Sequence, residues 1–335
     1  MSPFASLFSH RSLERFIVTV LLLLVAIPLK AQEPFGEPRE VRIALLLTDL
    51  TEVNGAEQSF SADVFMAASW HDPELADSSA GLRTLAYDDV WHPTLLIYNR
   101  RSVAESMPNE VVVRPDGTVT YAQRFTGEFS SPMSLRGFPR DSQEFFVWLV
   151  APTRVGANVT LAADESLPAL RSEQLSISDW KVGDASLSLE TLQIAPGAHV
   201  NPGVKLTFPA TRRVTYYTIQ VLIPLMAIVM MAYAVFWIAP TVVPTRVGVV
   251  VTTMLTLIAY RFMLANHVPR LSYLTRLDWF MLGATVLVIL TLFTMAGTSY
   301  LVSREREDIV KKIDHAGRLL YPVVFFGYSL FVWWR

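Results

Sequence analysis

Between Val41 and Phe208 short β-rich runs alternate with clusters of Gly, Pro, Asp and Asn. Val41–Leu47, Phe60–Ala67, Val111–Val113, Thr118–Phe125 and Phe145–Val150 have the length and the β-branched and aromatic content of strands. Arg114-Pro115-Asp116-Gly117 reads as a hairpin turn. Pro fixes φ at one central position there, and Gly accepts positive φ at another. Strands at this spacing, with no long helical pattern among them, predict a β-sandwich.

After Arg212 and Arg213 the pattern changes to four long apolar segments, at about Tyr216–Ala239, Val247–Leu264, Leu277–Val302 and Leu319–Trp334. Each has, or nearly has, the roughly 20 residues that a helix needs to cross a bilayer. Aromatic residues such as Tyr216, Trp237, Trp279, Tyr300 and Trp334 stand near their ends, as interfacial side chains do. Arg304, Arg306, Lys311, Lys312 and Arg318 lie between the third and fourth segments, which assigns that stretch to the cytoplasmic side.

The second segment is patterned differently from the others. Gly248, Thr252, Leu255, Ala259, Phe262 and Asn266 recur at alternating steps of four and three, so they share one helical face. That face mixes a bare backbone, a hydroxyl, an amide and apolar groups. Helix packing explains it as well as a water-facing role does, because small residues are favoured between membrane helices. Pro224 inside the first segment is tolerated where neighbours serve the carbonyl it leaves free.

Upstream, His10, Arg11 and Arg15 precede an apolar run from Phe16 to Pro28, with Ala31 before Gln32. This reads as a secretory signal over residues 1–31. Export places residues 32–212 outside the cytoplasm as a sandwich domain and leaves 213–335 as the membrane domain. Four spans after an exported domain also put the basic stretch inside. The 335 residues are 52% hydrophobic, more than an ordinary soluble domain carries. A net charge of -2 without basic runs argues against a nucleic-acid partner. The absence of cysteine excludes disulfides, thiolate zinc sites and cysteine nucleophiles. No metal-ligand spacing, nucleophile elbow or intramembrane carboxylate pair suggests an enzyme, and no cofactor is expected.

Several motifs carry a resemblance. Phe60–Phe65 leads into Ser69-Trp70-His71-Asp72, and Val90-Trp91-His92-Pro93 follows. Phe138-Pro139-Arg140-Asp141-Ser142-Gln143 is similar to a Phe-Pro-x-Asp-x-Gln signature loop. Tyr216–Gln220 with Pro224 and Phe236-Trp237-Ile238, then Val268–Tyr273 followed by Asp278, complete the set. In this order, across nearly everything after the signal segment, they resemble the pentameric ligand-gated ion channels. Animal members bracket the signature loop with two cysteines. Ser131 and Phe145 stand at those positions here, as in prokaryotic members.

The resemblance implies an all-β, immunoglobulin-like extracellular sandwich followed by an all-α four-helix transmembrane domain. It also implies assembly with four identical subunits around a pore. The second helix would line that pore with Thr245, Gly248, Thr252, Leu255, Ala259, Phe262 and Asn266. Rings of Leu255 and Phe262 would form apolar constrictions that gate by dewetting. Asp141 and Arg212 would meet where the two domains join, under the loop containing Pro269 and Arg270. The expected location is the cell inner membrane, multi-pass, with the amino-terminal domain in the periplasm.

The agonist, a small molecule or protons, is less constrained. The stretches matching the amine-binding loops of prokaryotic relatives, Val150–Arg154 and Ala198–Val204, hold no aromatic and no acid. A cation–π cage is therefore not expected. Tyr98, Glu110, Tyr121 and Arg154 are the polar candidates nearby.

Selectivity is expected to favour anions, chloride in practice. No acidic residue occurs from Thr191 to Leu277. Val243-Pro244-Thr245-Arg246-Val247-Gly248 resembles the Pro-Ala-Arg-Val-Gly stretch of glycine- and GABA-gated chloride channels, where cation-selective relatives place a glutamate. Five like charges about 6 Å from an ion contribute roughly 3–4 kcal/mol even at the dielectric of water. Pro244, Thr245 and Arg246 are thus the candidate selectivity residues, although Arg246 has the alternative of snorkelling to the cytoplasmic interface. A cation-selective or proton-gated channel of the same family stays open, as does a membrane-tethered periplasmic binding domain that does not conduct.

Overall fold

Alternation along the chain sets the sandwich. In β2 (Ser59–His71) Phe60, Ala62, Val64, Met66, Ala68 and Trp70 are buried, and most residues between them are half-exposed. The computed structural model describes residues 39–152, 159–164, 170–193, 196, 200–264 and 271–334. The expected signal segment, together with Arg154, Asn266, Pro269 and Arg270, lies outside the described residues.

β1 (Arg39–Asn54) pairs antiparallel with β2, from Val41 opposite Trp70 to Asn54 opposite Ser59. β2 pairs in turn with β7 (Thr118–Ser130). β3 (Arg83–Ala86), β5 (Arg100–Glu105), β6 (Glu110–Val113) and β9 (Val159–Ala163) complete this sheet in the order β3-β6-β7-β2-β1-β9, with β5 also on β7. The second sheet runs β10-β12-β8-β4, with β11 on β12. Its strands are β4 (Leu96–Ile97), β8 (Ser142–Val150), β10 (Trp180–Val182), β11 (Ser186–Gln193) and β12 (Val200–Arg212). Phe60 joins the sheets, its ring 5.4 Å from Phe129, 5.1 Å from Phe145 and 5.7 Å from Phe208.

The Arg114–Gly117 turn closes the β6–β7 hairpin. Gly117 has φ +83°, and a Cβ there would lie 2.5 Å from the Asp72 carbonyl oxygen. Glycine is therefore required on both conformational and steric grounds.

Among the described residues four helices follow: α1 (Thr215–Trp237), α2 (Val243–Leu264), α3 (Arg276–Ser303) and α4 (Glu307–Trp334). All four are long and apolar enough to cross a membrane. Two begin earlier than hydropathy indicated. α2 takes in Pro244 and Thr245, since Pro is compatible with a first helical turn. α4 starts about three turns before Leu319, because its charged turns remain amphipathic. Val310, Asp314, Tyr321 and Phe325 face inward along it. Hydropathy detects the apolar part of such a helix and misses the rest. Gly283 lets α4 approach α3, since a Cβ there would meet the Tyr328 ring at 2.0 Å. Tyr321 ties α4 to α1 by donating to the Val229 carbonyl at 2.8 Å.

Candidate pore face and domain junction

α2 has two unlike faces. Arg246, Val250, Thr253, Leu257 and Leu264 are buried against the other helices. Thr245, Gly248, Thr252, Leu255, Ala259 and Phe262 are all exposed, on one face. Leu255 is 63% and Phe262 74% exposed. Val251 and Ile258, also exposed, widen this surface on its flank. Phe293, Val323 and Leu330 on α3 and α4 are comparably exposed, as surfaces that lipid or a neighbouring subunit covers are on a single subunit.

Arg246 does not share the face. Its side chain is 3% exposed, and Nη2 donates to Oδ1 of Asp314 on α4, also 3% exposed. Arg246, expected as a selectivity residue or as snorkelling to the interface, is placed facing α4 and not on the exposed face. At position 246 the helical turn points toward α4, and a carboxylate waiting there receives the guanidinium. Pro244 and Thr245 remain exposed at the start of α2, whose first turn carries no acidic residue.

The junction of sandwich and helices is built around Arg212, the last residue of β12. Its Nε donates to Asp141 Oδ1 at 2.8 Å and its Nη2 to Oδ2 at 3.4 Å, so the pair is bidentate. The side chains are 7% and 2% exposed, which rules out a weak surface ion pair. The guanidinium also lies 4.2 Å from the Trp180 ring and 5.1 Å from the Phe138 ring. Phe138 packs edge-on to Tyr217 of α1 at 4.9 Å. Gln143 completes the set by donating to Asp141 Oδ2 at 2.8 Å.

The signature loop reaches the helices through its backbone as well. Leu135 N–H donates to the Tyr273 hydroxyl at 3.0 Å, and Arg276 N–H to the Arg136 carbonyl at 3.1 Å. Ser131 and Phe145 are both buried without a disulfide between them. Asn99 braces that region instead. Its Nδ2 donates to the carbonyls of Ser130 (2.9 Å) and Phe146 (2.8 Å), and its Oδ1 accepts from Trp148 N–H (3.1 Å). Nothing in the strand pattern singled out Asn99, since only a polar residue at a buried position would have flagged it.

The ligand candidates do not converge. Tyr98 is exposed on the second sheet, its ring 5.4 Å from Trp148. Glu110 is exposed at the start of β6 in the first sheet. Tyr121 is buried, and its hydroxyl donates to Asn109 Oδ1 and accepts from Gln123 Nε2, both at 3.3 Å. Tyr121, expected as a ligand contact, is thus placed inside the subunit. Burial pushes its phenol above the ordinary range; the Gln123 bond opposes this, while Glu105 and Asp88 add to it.

The two parts of the chain, a sandwich carrying the signature loop and a set of membrane-type helices, are matched by two family descriptions. "Neurotransmitter-gated ion-channel ligand binding domain" covers residues 28–193, and "Neurotransmitter-gated ion-channel transmembrane region" covers residues 221–309. The chain belongs to the pentameric ligand-gated ion-channel family. Ligand-gated ion channels are not enzymes, and their architecture of sandwich plus four helices is the one described above.

Relatives span the family. The chain is 22% identical over 293 residues to a proton-gated ion channel of Gloeobacter violaceus, covering 86% of this chain and 81% of the relative. It is 27% identical over 290 residues to the gamma-aminobutyric acid receptor subunit alpha-3 of Bos taurus, 83% of this chain and 58% of that subunit. For the human alpha-2 subunit the identity is 26% over 277 residues, 79% of this chain and 61% of the subunit. The chain thus spans somewhat under two thirds of these receptor subunits' length.

Proposed function

We propose that five identical copies of this chain form a chloride-selective channel, with the exposed face of α2 lining the pore. The observation that carries this reading is the division of α2. Its outer face leaves Leu255 and Phe262 in the open beside Thr245, Gly248, Thr252 and Ala259, while its other face packs on the subunit. Cyclic symmetry turns each exposed residue into a ring. A ring of Leu255 is the gate, Phe262 a second constriction, and Asn266 follows by sequence spacing as the next position on the same stripe. Pro244 and Thr245 form the cytoplasmic mouth. Asp141 and Arg212, with Pro269 and Arg270, transmit the opening signal from the sandwich.

Chloride is supported by the acid-free stretch from Thr191 to Leu277. The positive end of the α2 helix dipole adds positive potential at the mouth. The opening signal is a small molecule or protons acting on the sandwich. The chain divides into a signal segment (1–31), a periplasmic domain (32–212) and an inner-membrane domain (213–335). A cation-selective or proton-gated channel is the second reading, and the printed name of the Gloeobacter relative, a proton-gated ion channel, favours gating by protons.

The experiment is recording from purified protein in a planar bilayer under a potassium chloride gradient, with a ligand and pH screen. A reversal potential near that of chloride is expected. One near that of potassium sinks the chloride reading, and silence under every trigger favours a non-conducting tether.

A further inference from the structure

Arg246 and Asp314 are the ion pair that the described helices hold away from water. They belong to different parts of the subunit. Arg246 lies in the first turn of α2, next to Thr245 at the end of the exposed face. Asp314 lies on the inward face of α4, the helix whose other side carries the exposed Leu319, Leu320 and Val323.

The charged neighbours of the pair are otherwise engaged or outside. Lys311, Lys312 and His315 on the same α4 turns are exposed. Arg318 donates from Nε to the Phe236 carbonyl at 2.9 Å, and its guanidinium lies 4.5 Å from the Trp237 ring. The recorded counter-charge of Asp314 is therefore Arg246. Guanidinium stays protonated throughout the physiological range. Left without a carboxylate it would either destabilise the fold or turn toward water, and the nearest water would be at the mouth of α2. Paired, it presents to a passing ion a short dipole in place of a full charge.

We propose that Asp314 is a specificity-determining residue of this channel. It holds Arg246 inside the subunit and cancels its charge, so that the selectivity of the cytoplasmic mouth is set without Arg246. The proposal rests on the pore reading of α2, but it holds whichever ion that pore prefers. It also gives the outermost helix, α4, a direct effect on the ion path.

Three variants test it, each by reversal potential under a potassium chloride gradient, with the parent channel recorded alongside. The double variant Arg246→Met/Asp314→Leu removes both charges and fills the site with apolar groups, a replacement that buried pairs commonly tolerate. Its chloride-to-potassium permeability ratio should stay within about twofold of the parent's, since nothing that ions sense has been removed. The swap Arg246→Asp/Asp314→Arg keeps a pair and should behave likewise. Asp314→Asn leaves the guanidinium uncompensated in five copies and should move the ratio toward chloride by about tenfold or more.

A change of about tenfold in either paired variant would overturn the proposal, because Arg246 would then be acting on the permeant ion directly. An assembled Asp314→Asn channel with the parent's ratio would overturn it too. If Asp314→Asn does not assemble, the paired variants decide. Failure of both paired variants to assemble also counts against it, since the pair is given no role beyond placing and cancelling one charge. A silent parent channel, by contrast, refutes the pore reading itself.

Discussion

The hydroxyl of Tyr260 on α2 shares its one proton between the carbonyls of Gln220 (3.1 Å) and Val221 (2.9 Å) on α1. These carbonyls lie in a π-helical stretch, Thr218–Leu222, just before Pro224. Pro224 has no N–H to offer Gln220 in the ordinary helical register. α2 supplies the missing donor, which ties it to the bulge in α1. Tyr260→Phe keeps the ring and removes the bond, at a cost of about 1 kcal/mol. Assembly should survive, while thermal stability falls slightly and the activation curve shifts. Unchanged values of both would show that the hydroxyl is not a working contact.

Leu255→Thr keeps the shape of α2 and places hydroxyls on its most apolar exposed turn. The channel should open at lower stimulus or leak at rest, because a wetted constriction no longer excludes ions. Single-channel recording at zero stimulus measures this. Unaltered resting current and activation would move the gate to Phe262, which the corresponding Phe262→Thr variant then tests.

Asp141→Asn and Arg212→Gln each break a bidentate pair whose side chains are 2% and 7% exposed. Removing one partner leaves the other buried and uncompensated, at about 3–5 kcal/mol. Both variants should gate poorly, with Arg212→Gln the more severe because Trp180 and Phe138 also lose their cation. A double-mutant cycle on activation should give a coupling energy of about 1 kcal/mol or more. A value of zero would mean that the two side chains act independently in gating.

Thr245→Glu places five carboxylates at the exposed start of α2, in a stretch that has no acid of its own. The reversal potential should move toward that of potassium, by an amount that shrinks as salt is raised. An unmoved reversal potential would place the selectivity-determining region away from residue 245.

Periodicity alone determined the two-part architecture. The alternation of Phe60, Ala62, Val64 and Met66 needs a half-buried strand, and apolar runs of helical length need a bilayer. Steps of four and three put Thr252, Leu255, Ala259 and Phe262 on one face, since that spacing is a property of any α-helix. Other features were decided only by tertiary packing. Sequence spacing does not say which helix faces which, so Arg246 looked available to ions until Asp314, 68 residues away, was found beside it. Spacing likewise leaves Tyr121 open to a ligand, whereas in the fold Asn109 and Gln123 engage its hydroxyl. Asn99 gave no signal at all, because its three bonds exist only once β7 and β8 lie on either side of it. Periodicity records which residues must leave water. The partner that each buried polar group finds there depends on contacts between segments far apart in the chain, and those exist only in the folded subunit.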